Sequence, residues 1–187
     1  MKHRIRFGDE EGPSGRRRGA SGKGMAIETI ESAWQQLGKL DAWAKLELLQ
    51  QFRSEQPFIA CAVDVLLEEL PGESESDDSP LLSLALLIWH ALSRAKGPLN
   101  PVQPEPLQRE FTRNAACMRE NAEAPEILQG YALEKLLGKC RQRHLLAFVS
   151  KVLLDRDSFE VSSSTCATFY WLKAFIDTLD KVHMRKA

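Results

Sequence analysis

From Met25 onward the apolar residues recur at helical spacings, and no alternating strand pattern of useful length interrupts them. Ile27, Ile30, Trp34 and Leu37 fall at i, i+3, i+7 and i+10, which predicts a first helix with one apolar face. Trp43, Leu46, Leu48, Leu49 and Phe52 form the next stripe. Pro57 then stands where a third helix, over residues 58–70, would begin, because proline is tolerated in a first turn. Pro71-Gly72 stops that helix and residues 73–79 read as an acidic loop. Ser79-Pro80 caps and opens a fourth helix, which reaches about Lys96 before Gly97-Pro98 ends it.

Residues 97–106 carry Pro98, Pro101, Pro104 and Pro106, and the residue before a proline is pushed away from helical angles, so this stretch is expected to be an extended connector. Beyond it, Leu107, Phe111, Ala115, Met118 and Ala122 predict a fifth helix. Further helices are expected over about 126–140, 144–154 and 165–183. The expected fold class is therefore all-α, a compact bundle of about eight helices, four on each side of the connector.

The two halves align without a gap at an offset of 87 residues. At that offset Leu46 falls on Leu133, Leu49 on Leu136, Leu82 on Phe169, Ile88 on Phe175 and Leu92 on Leu179. Likewise residues 58–62 fall on 145–149 and residues 65–68 on 152–155. Any two amphipathic helices match in some register, but a single offset carried through three helices and their loops favours two divergent four-helix repeats, about 25–97 and 107–187. Two copies are fewer than an open solenoid needs to bury its faces, so the pair should close on itself as one domain over 25–187 with the apolar fourth helix at its centre.

Composition changes this picture mainly at the N-terminus. The chain of 187 residues has a net charge of −1, but residues 1–24 hold seven Lys+Arg against three Asp+Glu and the remainder is acidic. Residues 7–24 are rich in Gly, Ser and charge with one large apolar residue, too few to offset the entropy of ordering. A disordered basic tail over 1–24 is expected, with an upstream extension, alternative start or added leader ahead of Met25 as the alternative. Its basic residues precede no apolar core of a secretory signal. The longest apolar run, residues 81–92, is too short to cross a bilayer. The expected compartment is the cytoplasm, with no membrane role. Cys61, Cys117, Cys140 and Cys166 are widely spaced and form no C-x-x-C pair, and so read as reduced thiols.

The candidate chemistry is sparse. At the repeat offset, the stripe Ile27, Ile30, Trp34, Leu37 becomes Asn114, Cys117, Asn121, Ala124. Two amides flanking a thiol would suit a small polar pocket, since a buried amide must find partners. They would equally suit contact with the connector backbone or an exposed helix edge, and this plainer reading is preferred. Cys140 and His144 stand at i, i+4, and Asp180 and His183 at i, i+3. Neither pair reaches the four ligands of a structural zinc site, and a helix break expected near His144 would separate the first. No metal or cofactor is expected. No phosphate loop or nucleophile elbow is present, and His90 beside Trp89 reads as a core residue rather than a base. Arg16, Arg17 and Arg18 would attract phosphates, but no aromatic residues are interleaved for base stacking. Asp64 and Lys151, equivalent at the offset, would either pair across a pseudo-twofold axis or mark outward helix edges.

These features make a non-enzymatic helical adaptor or regulatory module the favoured function, with another protein as the expected partner and self-association left open. The alternatives are a small-ligand-binding protein or enzyme built on Asn114, Cys117 and Asn121, and a nucleic-acid accessory acting through Arg16, Arg17 and Arg18, a partner class the absent aromatics disfavour.

Overall fold

The computed structural model of the chain describes residues 24–69, 79–121, 137–154 and 163–182, with the backbone alone at 118–121 and 163–166. Seven helices are described: α1 (Ile27–Gly38), α2 (Ala42–Glu55), α3 (Pro57–Glu69), α4 (Pro80–Lys96), α5 (Pro104–Asn121), α6 (Arg143–Leu154) and α7 (Ser163–Lys181). Residues 137–139 are also helical, and no strand occurs among the described residues. The protein is thus all-helical and compact. The basic tail, the acidic loop and most of the helix expected over 126–140 lie outside the described residues.

Local chemistry accounts for the ends. Asp41 caps α2, its carboxylate accepting from the Ala44 N–H at 2.8 Å. The Ser79 hydroxyl accepts from the Leu82 N–H at 3.5 Å, and Pro80 occupies the first turn of α4, where its missing N–H costs nothing. Gly97 closes α4 at φ 84°, a left-handed angle that glycine adopts without a Cβ clash. The connector is shorter than expected. α5 starts at Pro104, because Pro104 and Pro106 both fall in its first turn, where the N–H groups have no intrahelical acceptor to lose.

Helix α4 is the centre, in contact with α1, α2, α3, α6 and α7. Nine of its side chains are buried, from Leu81 to Leu92, and each fully buried large aliphatic contributes about 1.5–3 kcal/mol of transfer free energy. On one side Phe52 of α2 meets Trp89 with ring centroids 5.5 Å apart. On the other, α7 contributes Leu172, Phe175, Ile176 and Leu179 to the same core, and α5 and α6 both pack on α7. α1 bridges the halves, with Trp34 edge-on to Phe148 of α6 at 5.9 Å.

The second stripe departs from expectation. Phe52 is fully buried, whereas Trp43 is 70 % and Leu46 43 % exposed. α2 lies at the periphery against α3 and one side of α4, so its inner edge, centred on Leu48, Leu49 and Phe52, is what faces protein. Trp43 and Leu46 project about half a turn away from that edge.

Candidate interaction surface and polar network

Two arrangements stand out, an exposed apolar face on α2–α3 and a charged network around α7. In α3, Ile59, Ala60, Val63 and Leu66 point into the core. Phe58 (44 % exposed), Cys61 and Val65 (48 %) recur at i, i+3 and i+7 on the opposite side. Trp43 and Leu46 occupy the outward side of the adjoining α2, where the Trp43 indole N–H donates to Glu47 at 3.1 Å. Arg53 and Asp64 join the two helices by an exposed ion pair at 3.0 Å. Asp64 therefore pairs within its own half, and Lys151 lies exposed on α6, as outward edges rather than as partners.

The network is built on two aspartates of α7. Asp177 accepts from the buried Lys173 one turn earlier, from Arg113 of α5 at 3.1 Å, and faces the Cys140 thiol at 3.8 Å. Burial above all, together with the Asp177 carboxylate, pushes the Cys140 thiol up to about 11, so at neutral pH it is the un-ionised, non-nucleophilic form. Asp180 takes Lys96 from the end of α4 at 2.9 Å, Gln142 at 2.6 Å and Arg141 at 3.7 Å. The other end of the Gln142 amide accepts the Met25 N–H at 2.9 Å, which ties the entry of α1 to the same hub. Glu110 of α5 is bridged by Arg113 and Lys181, and beside it Phe111 stacks on Trp171 at 3.8 Å.

Of the residues singled out in sequence, Asn114 is 2 % exposed, inside the bundle rather than at an edge, and its Nδ2 has no hydrogen-bond partner among the described residues. Cys117 is half-buried one turn on. Asn121 ends α5, with its side chain outside the described residues, as are Arg16, Arg17, Arg18, Cys166 and His183. Cys140 lies before α6 and His144 within it, so the expected break does separate them. Among the described residues no three His, Cys, Asp or Glu side chains converge as metal ligands, and no helix is long and apolar enough to cross a membrane. His90 is half-buried on α4. Burial, and secondarily the Arg94 guanidinium, holds its imidazole below the ordinary value of 6.5.

Sequence reasoning missed Gln56, Lys173 and Asp177. Gln56 is fully buried between α2 and α3, its Nε2 donating to the Asn100 carbonyl at 3.1 Å and its Oε1 accepting the Val102 N–H at 2.9 Å. A glutamine immediately before Pro57, facing a proline-rich segment with few N–H donors of its own, is the signal that would have pointed to it. The chain matches no protein-family model, no curated protein and no solved structure.

Proposed function

We propose that the chain is a helical interaction module whose working surface is the outward face of α2 and α3. The observation that carries this reading is the exposed row Phe58, Cys61, Val65 on α3, with Trp43 and Leu46 likewise turned to solvent on the adjoining α2. Clustered exposed apolar side chains mark interaction sites more often than scattered ones do, and tryptophan and phenylalanine are frequent anchors of protein interfaces.

A two-repeat organisation of the chain would strengthen the reading. In both halves the first and third helices pack on the fourth, α1 and α3 on α4, α5 and α6 on α7. Burial recurs at the offset of 87 residues, with Ile59 and Leu146, Leu66 and Leu153, Ile88 and Phe175, and Leu92 and Leu179 all in the core. Under that correspondence Phe58, Cys61 and Val65 are the twins of Leu145, Phe148 and Val152. The twins are covered: Leu145 is fully buried, Phe148 and Val152 are half-buried, and Trp34 of α1 lies on Phe148. The same helical face thus receives another helix in one half and stands open in the other, which marks it as a helix-accepting face.

The test is native co-purification of the full chain and of a Trp43→Ala/Phe58→Glu variant. Both substituted side chains are exposed, so the fold should persist. A protein retained by the wild type and lost from the variant is the expected result. A small molecule retained equally by both, with no protein, would overturn the reading in favour of a pocket around Asn114.

A further inference from the structure

The seam between α5 and α7 is closed by charges, yet each of those charges has a partner or solvent on its own side. Across it Asp177 meets Arg113 at 3.1 Å and Glu110 meets Lys181 at 2.5 Å. On the α7 side, Asp177 is also paired with the buried Lys173 one turn earlier, and Lys181 is 58 % exposed. On the α5 side, Glu110 is also paired with Arg113 at i, i+3, and the Arg113 side chain is 60 % exposed. We infer that α5 is a flap, which opens from α7 as a unit about Gln103 and presents Trp171 while the rest of the bundle stays folded.

Parting a buried ion pair ordinarily strands an unpaired charge, and that is what makes such a contact costly to break. Opening of α5 strands none: Asp177 keeps Lys173, Glu110 keeps Arg113, and Lys181 keeps its water. Asp180 differs, because it is 8 % exposed and takes its cations from Lys96 of α4 and from Arg141, so that junction holds while α5 moves. Asn114 favours opening further. Its Nδ2 is buried with no acceptor among the described residues, and opening gives it water. The apolar anchors that hold the flap shut, among the described side chains of α5, are the buried Leu107 and Phe111, stacked on Trp171. The hinge is prepared from the other side. Gln56 holds the Val102 N–H, so the chain is fixed up to that residue independently of α5, whereas Gln103 is exposed and α5 begins at Pro104. Pro104 and Pro106 have no N–H that could tie the first turn elsewhere. Once released from α7, an 18-residue helix is marginal in water, so its amides exchange from the open form.

The test is residue-resolved native-state hydrogen exchange of the full chain. Residues 108–117 should share one opening constant, at least about tenfold larger than that of the centre of α4. Gln56→Ala separates the two events, since Gln56 holds the connector in the closed and the open form alike. It should speed the α4 amides roughly five- to a hundredfold and leave those of α5 unchanged. Asn114→Leu should slow α5 exchange about fivefold, because only the closed form buries that side chain. Raising salt from about 0.05 to 0.5 M should speed α5 two- to fivefold relative to α4, as the exposed Arg113 and Lys181 are screened. Amides of α5 protected as strongly as those of α4, or accelerated by Gln56→Ala in the same proportion, overturn the flap. Protection that grades along α5 with no shared value overturns it too, since the helix would then fray rather than open.

Discussion

Gln56 commits both ends of one amide to backbone groups more than forty residues away, and that places a measurable fraction of the stability on a single neutral side chain. Truncation in Gln56→Ala leaves the buried Val102 N–H without a partner, a cost of about 1–3 kcal/mol, while the carbonyl of the exposed Asn100 can turn to water. Urea unfolding should show the midpoint lowered by an equivalent of about 1–3 kcal/mol with an unchanged m-value. A midpoint that does not move would mean that the connector finds other partners. Asn114 is the converse case. Its Nδ2 is buried with no acceptor among the described residues, so Asn114→Leu, of similar volume, should stabilise the chain by about 1 kcal/mol, or roughly 2–4 °C in Tm at this size. A fall in Tm, accompanied by loss of a co-purifying small molecule, would instead assign Asn114 to a ligand. At this scale the sequence was least legible. Asn114 was visible because its twin is apolar, whereas Gln56, Lys173 and Asp177 read as surface polar positions until the elements that enclose them are in place.

Among the elements, Asp180 of α7 is where four segments meet: the end of α4 through Lys96, the turn before α6 through Arg141 and Gln142, the entry of α1 through Met25, and α7 itself. Gly24 belongs to the same junction, since a Cβ there would come within 2.6 Å of the Arg141 carbonyl oxygen. Asp180→Asn preserves the shape but removes the charge that holds Lys96 and Arg141, at a cost of about 1.5–3 kcal/mol for charged hydrogen bonds. Hydrogen exchange should then accelerate at residues 25–27 and at the end of α4 before the centre of α4 is affected. Uniform acceleration would show that the junction is not a separable unit. Most of the elements themselves were readable from periodicity and from Ser79, Pro57 and Gly97, which mark ends by local chemistry. The start of α5 was not, because a proline reads alike in an extended connector and in a first turn. Nor was the exposure of Trp43 and Leu46. An apolar stripe says that a face seeks cover, and whether a neighbour supplies it is decided by packing.

For the whole molecule, periodicity gave each helix an inner face and gave α4 its central place, while long-range pairing supplied what no local window holds: α1 reaching across to α6, and α7 gathering the charges of α5 and of residues 140–142. The same central helix makes global stability depend on pH through His90. Burial first, and Arg94 second, lower its folded-state value, so the native state holds the imidazole neutral while the unfolded chain protonates it near 6.5. Between those two values the unfolded state binds the extra proton. Stability from this group is therefore complete above 6.5 and lost as pH falls toward the folded value. His90→Gln removes the titration while leaving the other groups of the chain in place. Thermal unfolding from about pH 8 to 5 should show the difference between wild type and variant constant down to about 6.5 and then shrinking, because only the wild type carries this penalty. A difference independent of pH would mean that His90 is as readily protonated in the fold as outside it, and that the flank of α4 beside Arg94 admits water more freely than its half-buried position implies.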